Sequence, residues 1–129
     1  MLDTNIVSYL IKKHPTVTKR IVTLPIRATC LSVITEAELL FGLAKRPGAK
    51  SLHTVVKELL RCIDVLPWET NTAEYYADMR AGLSNRGKIL SALDLLIAAH
   101  AKSVNAVLIT NDNAFKHVDG LKLEYLLVE

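Results

Sequence analysis

The sequence of 129 residues lacks the features that mark membrane, secreted and nucleotide-binding proteins. No stretch reaches the roughly 18 to 20 uninterrupted apolar residues that a membrane-spanning helix needs. Residues 1–5 lack the basic region and the apolar run of a secretory signal. Glycine-rich phosphate-binding motifs and a G-x-S-x-G nucleophile motif are also missing. These absences argue against a membrane protein, a secreted protein and a nucleotide-binding enzyme.

Cysteine is scarce, since Cys30 and Cys62 are the two in the chain, and each sits inside an apolar run. Two isolated cysteines form neither a disulfide framework nor a zinc cluster. We interpret them as buried free thiols, which predicts a reducing compartment and a cytoplasmic location. The histidines show no zinc-binding spacing and are interpreted as structural or surface residues; they are His14, His53, His100 and His117.

Apolar residues are plentiful by comparison. They make up 50% of the chain, and the mean hydropathy is +0.25. The length corresponds to one domain, 1–129, and this apolar content is somewhat more than a solitary small domain needs. Surplus apolar surface on a small protein often ends in a protein interface, and an unusually large core is the alternative. The composition therefore predicts a single domain and slightly favours a protein partner.

The apolar pattern alternates between short runs and longer helical stretches. Buried strands are predicted at 28–31, 62–66, 106–109 and 123–127. Helices are predicted at 4–12, 16–23, 32–45, 49–61, 70–86 and 91–104. This order of elements predicts an α/β fold, a single three-layer α/β/α domain with a mostly parallel central sheet.

Carboxylates lie at strand exits and helix starts, at the edge where such folds bind ligands. They are Asp3, Asp94, Asp112 and one of two glutamates, Glu36 or Glu38. Hard cations such as Mg²⁺ and Mn²⁺ take oxygen ligands, and one or two such ions can activate water against a phosphodiester. A structural role is the alternative for each acid alone, because aspartates at these positions also cap helices. Four acids at one sheet edge favour a metal-dependent hydrolase.

Periodicity does not distinguish the two glutamates of the helix predicted at 32–45. Both flank an apolar stripe, and we predict this stripe to be buried. The stripe consists of Val33, Ala37, Leu40, Phe41 and Ala44. The choice between Glu36 and Glu38 therefore stays open at the level of pattern.

Four short motifs, in order, resemble the PIN-domain family, especially bacterial toxin ribonucleases of the VapC type. Residues 1–5 (MLDTN) resemble its first motif, and residues 32–42 (SVITEAELLFG) its second. Residues 94–101 (DLLIAAHA) resemble the third motif and residues 110–115 (TNDNAF) the fourth. The match covers essentially the whole chain and assigns the glutamate of the second motif to Glu38.

The resemblance implies a Mg²⁺-dependent endoribonuclease, with Mn²⁺ as a substitute, whose catalytic and metal-binding residues are Asp3, Glu38, Asp94 and Asp112. It further implies a toxin that dimerises, is inhibited by a small antitoxin and cuts structured RNA such as tRNA. The chain departs from the family in one respect: two residues precede Asp3, where relatives usually have several. A shorter first strand is expected to weaken the anchoring of Asp3.

Neighbouring polar residues complete the expected site. Asn5, Thr110 and Asn111 could orient the carboxylates or metal-bound water, and capping or turn formation is the alternative. Arg86 and Lys88 precede Asp94 in a loop and could contact RNA phosphates, or simply be solvated. The alternatives to a nuclease are a PIN-fold interaction module without activity and a receiver-like phosphoacceptor domain, which would need paired acids after its first strand.

The charge balance is compatible with RNA as a partner. The chain has 16 basic and 13 acidic residues, a net charge of +3, which is weak evidence alone. With four acids occupied by metal, nine acidic residues would face 16 basic ones, an excess of seven positive charges. An antitoxin is expected to pack an apolar helix against 4–12 and 49–61 and to place a basic side chain near Asp3 and Asp94.

Overall fold

The computed structural model describes residues 1–126 and confirms the predicted alternation of helices and strands. The helices are α1 (Thr4–Ile11), α2 (Pro15–Ile21), α3 (Val33–Ala44), α4 (Lys50–Cys62), α5 (Thr70–Asn85) and α6 (Ala92–Ser103). The strands are β1 (Cys30–Ser32), β2 (Asp64–Leu66), β3 (Leu108–Thr110) and β4 (Leu123–Tyr125). One 3₁₀ turn, Ile26–Ala28, precedes β1, and another, Asn113–His117, follows β3.

The first three residues join the two halves of the sheet. β1 pairs in parallel with β2, and β3 pairs in parallel with β4. Between these pairs, the amide of Leu2 donates to the carbonyl of Cys30 at 3.0 Å, and the amide of Asp3 donates to the carbonyl of Ile109 at 2.9 Å. The bridge between Leu2 and Ile109 is parallel as well, so that Asp3 lies at the carboxyl edge of this central segment.

Two apolar clusters cover the two faces of this sheet. Met1 and Leu108 belong to the cluster formed with α5 and α6, whereas Leu2 and Ile109 belong to the cluster formed with α1 to α4. Neighbouring residues enter different clusters because successive side chains of a strand point to opposite faces. The three-layer α/β/α arrangement predicted from the sequence is therefore confirmed.

Several predictions of detail were wrong. The segment predicted as a strand from residue 28 begins as a 3₁₀ turn, and β1 starts at Cys30. Cys62 ends α4 and is exposed, although it was predicted to be buried at the start of a strand. Residue 127, the end of the last predicted strand, lies outside the described residues. Both cysteines are free thiols, as predicted.

The predicted apolar stripe of α3 was also wrong. The helix buries Thr35, Leu39 and Leu43, whereas Leu40 is 43% and Phe41 63% exposed. The buried face therefore includes a polar residue, Thr35, and differs from the predicted stripe by about one residue. The reason lies in a contact between helices, which is described below.

Within residues 1–126, no helix is long and apolar enough to cross a membrane.

Candidate active site

Asp3 lies at the centre of the carboxyl edge and is 3% exposed. It caps α1, since its Oδ1 accepts a 2.8 Å hydrogen bond from the amide of Thr4. Its Oδ2 accepts a 2.8 Å hydrogen bond from the hydroxyl of Thr110. Each carboxylate oxygen is therefore held by a donor, although only two residues precede Asp3 in the chain. The expected loose anchoring of Asp3 was wrong.

The environment of Asp3 raises its pKa from 3.8 to about 6. Burial is the largest cause, because it disfavours the charged form. The hydrogen bonds from Thr110 and Thr4 act in the opposite direction, and the negative charges of Asp94 and Asp112 raise the pKa further. The three aspartates therefore lie within electrostatic range of one another.

Asp94 lies in the first turn of α6. Its amide donates to Oγ of Ser91, the residue that caps this helix, at 3.2 Å. Burial raises the pKa of Asp94, the hydrogen bond with Ser91 lowers it, and Asp112 raises it through charge repulsion. The capping of α6 by Ser91 and the electrostatic proximity of Asp94 to the other acids thus occur together.

Asp112 caps the 3₁₀ turn Asn113–His117, because its Oδ1 accepts from the amide of Ala114 at 2.9 Å. Its own amide donates to Oγ1 of Thr110 at 3.0 Å. The hydroxyl of Thr110 therefore accepts from the backbone of Asp112 and donates to the side chain of Asp3. One side chain thus links these two acids.

The two other polar residues expected to help orient the acids lie differently from Thr110. Asn5 is exposed on the first turn of α1. The Oδ1 of Asn111 is buried, and within residues 1–126 it has no hydrogen-bond partner. Neither residue has the double role of Thr110.

Glu38, and not Glu36, is brought toward Asp3. The Oε1 of Glu38 accepts a 2.8 Å hydrogen bond from the hydroxyl of Thr4, the residue that follows Asp3. Glu36 lies in the first turn of α3 and is partly exposed. The packing of α1 on α3 therefore favours Glu38, the glutamate that the family motif indicated.

The donor set at this edge fits a hard divalent cation. The four side chains offer carboxylate oxygens, which are the preferred ligands of Mg²⁺ and Mn²⁺. A buried aspartate beside two others is costly in its charged form unless a cation neutralises it. Within residues 1–126, no three His, Cys, Asp or Glu side chains are close enough to form a ready-made metal group. A cation here would therefore take part of its ligands from water, as is common for Mg²⁺.

His100 is structural, as expected. It is fully buried in α6, and its Nδ1 lies 2.7 Å from Oγ of Ser32, the residue that caps α3. Burial lowers the pKa of His100, while the backbone of Pro67 and the charge of Glu69 act in the opposite direction. A neutral histidine therefore holds the start of α3 against α6, away from the acids.

Of the two basic residues expected to contact RNA, Arg86 is hydrogen-bonded within the protein, whereas Lys88 is exposed. The guanidinium of Arg86 donates to Oδ1 of Asp119 at 3.0 Å and to the carbonyl of His117 at 2.6 Å. These contacts tie the loop after α5 to the segment after β3, so that most of the donors of Arg86 are used inside the protein. Lys88 is exposed and lines a pocket with Tyr76 and Arg80.

A groove of about 260 Å³ lies along α1, α3 and α4, and of the four acids it is Glu38 that lines it. Thr4 and Glu38 line it together with an apolar floor. Basic residues, whose clustering the sequence pattern did not show, also line the groove; they are Lys12, Lys45 and Arg46. The groove thus combines apolar surface and positive charge beside a carboxylate.

Comparison with known proteins identifies similar chains over the full length. The family model of the PIN domain matches residues 1–121. A ribonuclease VapC2 of Haemophilus influenzae is 34% identical over 125 residues, which are 96% of this chain and 95% of that protein. A tRNA(fMet)-specific endonuclease VapC of Shigella flexneri is 32% identical over the same shares.

A solved structure shares the fold. The crystal structure of VapBC2 from Rickettsia felis bound to a DNA fragment from its promoter contains a chain with a TM-score of 0.88 and 33% identity. The match covers 98% of this chain and 97% of that one.

Proposed function

The chain belongs to the PIN-domain family, and we propose that it is an endoribonuclease and the toxin of a toxin–antitoxin pair. The observation that carries the proposal is the set of carboxylates at one sheet edge: buried Asp3 lies within electrostatic range of Asp94 and Asp112, and Glu38 accepts a hydrogen bond from Thr4, the residue after Asp3. The full-length similarity to proteins named as ribonucleases supports the reaction class.

We further propose that Asp3, Glu38, Asp94 and Asp112 are the catalytic residues and bind Mg²⁺, or Mn²⁺ in its place. When bound, the cation supplies positive charge against the phosphate and makes water a better nucleophile. The protein holds the carboxylates for this purpose: Thr110 and the amide of Thr4 orient Asp3. No nucleophilic side chain is needed for hydrolysis of a phosphodiester by water.

The substrate that we propose is structured RNA such as tRNA. One similar protein is named a tRNA(fMet)-specific endonuclease. The net charge of +3 and exposed cations such as Lys88 favour a polyanion. Two features from the sequence stay predictions, namely a homodimer and a cytoplasmic location.

The partner that we propose is an antitoxin seated in the groove along α1, α3 and α4. A similar chain has been crystallised in a complex named VapBC2. The groove offers apolar surface for a helix of the partner and ends at Glu38, so that a basic side chain of the partner could pair with the carboxylates. The groove therefore supports the predicted binding of the partner to the first and fourth helices, because both helices line it.

The test is incubation of the purified full chain with total RNA, in Mg²⁺ and in EDTA, followed by mapping of the fragment ends. Cleavage at defined positions in Mg²⁺ is expected, and Asp3→Asn and Asp94→Asn should both abolish it. Asp78→Asn, on the exposed face of α5, is the matched control. Cleavage that persists in both active-site variants would refute the assignment, and a folded wild type without cleavage would favour a silent interaction module.

A further inference from the structure

Thr4 contacts two of the four acids through different atoms. Its backbone amide donates to Oδ1 of Asp3 at 2.8 Å. Its hydroxyl donates to Oε1 of Glu38 at 2.8 Å and lies 3.1 Å from the hydroxyl oxygen of Thr35. Thr4 therefore connects the N-terminus of α1 with α3.

The chemistry of the groups sets the direction of these hydrogen bonds. An ionised carboxylate only accepts, so the single hydroxyl proton of Thr4 is used for Glu38. The contact between the two threonines is then a hydrogen bond only if Thr35 donates to Thr4. A one-way chain results, from Thr35 to Thr4 to Glu38.

The position of Thr35 supports this role. It is 0% exposed, and it precedes Glu38 by three residues, so both side chains lie on the same face of α3. A buried threonine inside a helix often bonds to the carbonyl one turn earlier in its own helix. Here its hydroxyl contacts Thr4 of α1 instead, which also explains why a polar residue lies on the buried face of α3.

Glu38 needs such a restraint because its side chain is long and its surroundings compete for it. It lines the groove together with Lys12, Lys45 and Arg46, each of which could attract its carboxylate. Without the hydrogen bond from Thr4, rotation of the Glu38 carboxylate toward these three basic residues would be favoured.

We propose that Thr4, supported by Thr35, is a positioning residue that holds Oε1 of Glu38 beside Asp3 and leaves Oε2 free for a divalent cation. This inference rests on the proposed function, since it gives Glu38 a task in the same site. Thr4 itself acts through Glu38 and not on the RNA.

The experiment measures Mn²⁺ affinity by calorimetry and RNA cleavage in full-length variants. Thr4→Val keeps the size of the side chain and its amide contact with Asp3 but removes the hydroxyl. It should lower Mn²⁺ affinity and kcat by roughly 10- to 100-fold, with little change in KM for RNA. Thr4→Ser, which keeps the hydroxyl, should restore both to near the wild-type values.

A double variant tests whether Thr4 acts through Glu38. In a Glu38→Gln background, Thr4→Val should cause little further loss of Mn²⁺ affinity, because the effects of residues in one chain of contacts are not additive. Thr35→Val is an independent route if Thr4→Val does not fold, and it should lower Mn²⁺ affinity in the same direction by a smaller factor.

The outcomes distinguish a failure of the positioning role of Thr4 and Thr35 from a failure of the proposed function. A Thr4→Val protein that binds Mn²⁺ like the wild type, or that loses equal affinity in the Glu38→Gln background, overturns the positioning role. A Thr35→Val protein with unchanged affinity overturns the donor role of Thr35. A folded wild type that neither binds Mn²⁺ nor cuts RNA overturns the proposed function itself.

Discussion

The hydroxyl of Thr110, at the end of β3, donates a 2.8 Å hydrogen bond to Oδ2 of Asp3, at the start of α1. Because the same hydroxyl oxygen accepts from the amide of Asp112, the ends of two strands are held together at one atom. This contact stabilises the charged form of a carboxylate whose burial favours the neutral form.

Removal of that hydroxyl should therefore cost stability in a pH-dependent way. Thr110→Val should lower the free energy of unfolding at pH 8 by about 1.5 to 3 kcal/mol, the range for a hydrogen bond to a charged group. The loss should shrink at pH 5, below the pKa of about 6 of Asp3, where its carboxyl is mostly protonated. Urea unfolding in EDTA at both pH values measures it. Thr110→Ser is the control, and an equal loss at both pH values would contradict the argument.

The raised pKa of Asp3 predicts how the stability of the cation-free protein depends on pH. Because the folded state has the higher pKa, the stabilisation is present below pH 3.8 and is lost as the pH rises through about 6. The shift from 3.8 to about 6 corresponds to about 3 kcal/mol. Asp3→Asn should remove this dependence, so that the variant is more stable than the wild type at pH 8 in EDTA.

The matched control for that experiment is Asp78→Asn, which removes an exposed carboxylate from α5. Its unfolding curves should follow the wild type at each pH. If Asp3→Asn is instead less stable than the wild type at pH 8, the hydrogen bonds to its charged form outweigh its burial.

The two glutamates of α3 should differ sharply in activity. Glu38→Gln should abolish Mg²⁺-dependent cleavage, because it removes the negative charge beside Thr4 and Asp3. Glu36→Gln should retain most of the activity, since this side chain is partly exposed in the first turn of the helix. Cleavage of a labelled RNA in Mg²⁺ measures both. The reverse order of activities would show that the acid of the second motif is misassigned.

Inhibition by the antitoxin should depend on the carboxylates as well as on the groove. If a basic side chain of the partner pairs with the acids, Mg²⁺ competes with it, and a higher Mg²⁺ concentration should partly relieve inhibition. The affinity for the partner should also fall in Asp94→Asn and stay unchanged in Asp78→Asn. Calorimetry and cleavage assays measure these effects. Inhibition that is indifferent to Mg²⁺ and to Asp94→Asn would place the partner contact elsewhere.

The local sequence pattern was sufficient to predict the helices and strands and the positions of Asp3, Asp94 and Asp112. The predicted bounds of α1, α5 and α6 differ from the observed ones by about one residue at most at each end. Helix periodicity and capping residues such as Ser91 act within one turn, so they are visible in the sequence. Asp3 and Asp112 follow strands of a parallel sheet, and parallel strands place their carboxyl ends at one edge.

The choice among chemically similar residues came from tertiary contacts. Helix periodicity treats Glu36 and Glu38 alike, the family motif indicates Glu38, and the contacts of Thr4 with Glu38 and Thr35 favour the same residue.

The contacts of the basic side chains could likewise not be predicted from local sequence. Arg86 and Lys88 are near neighbours in one loop, yet Arg86 is tied to Asp119 by an ion pair across 33 positions of the chain, whereas Lys88 is exposed. Lys12, Lys45 and Arg46 come together in one groove only because three helices meet there. Sequence alone thus determined the fold and the class of the site, because both follow from short-range patterning. Tertiary structure decided the partner of each polar side chain, because those partners are distant in the chain.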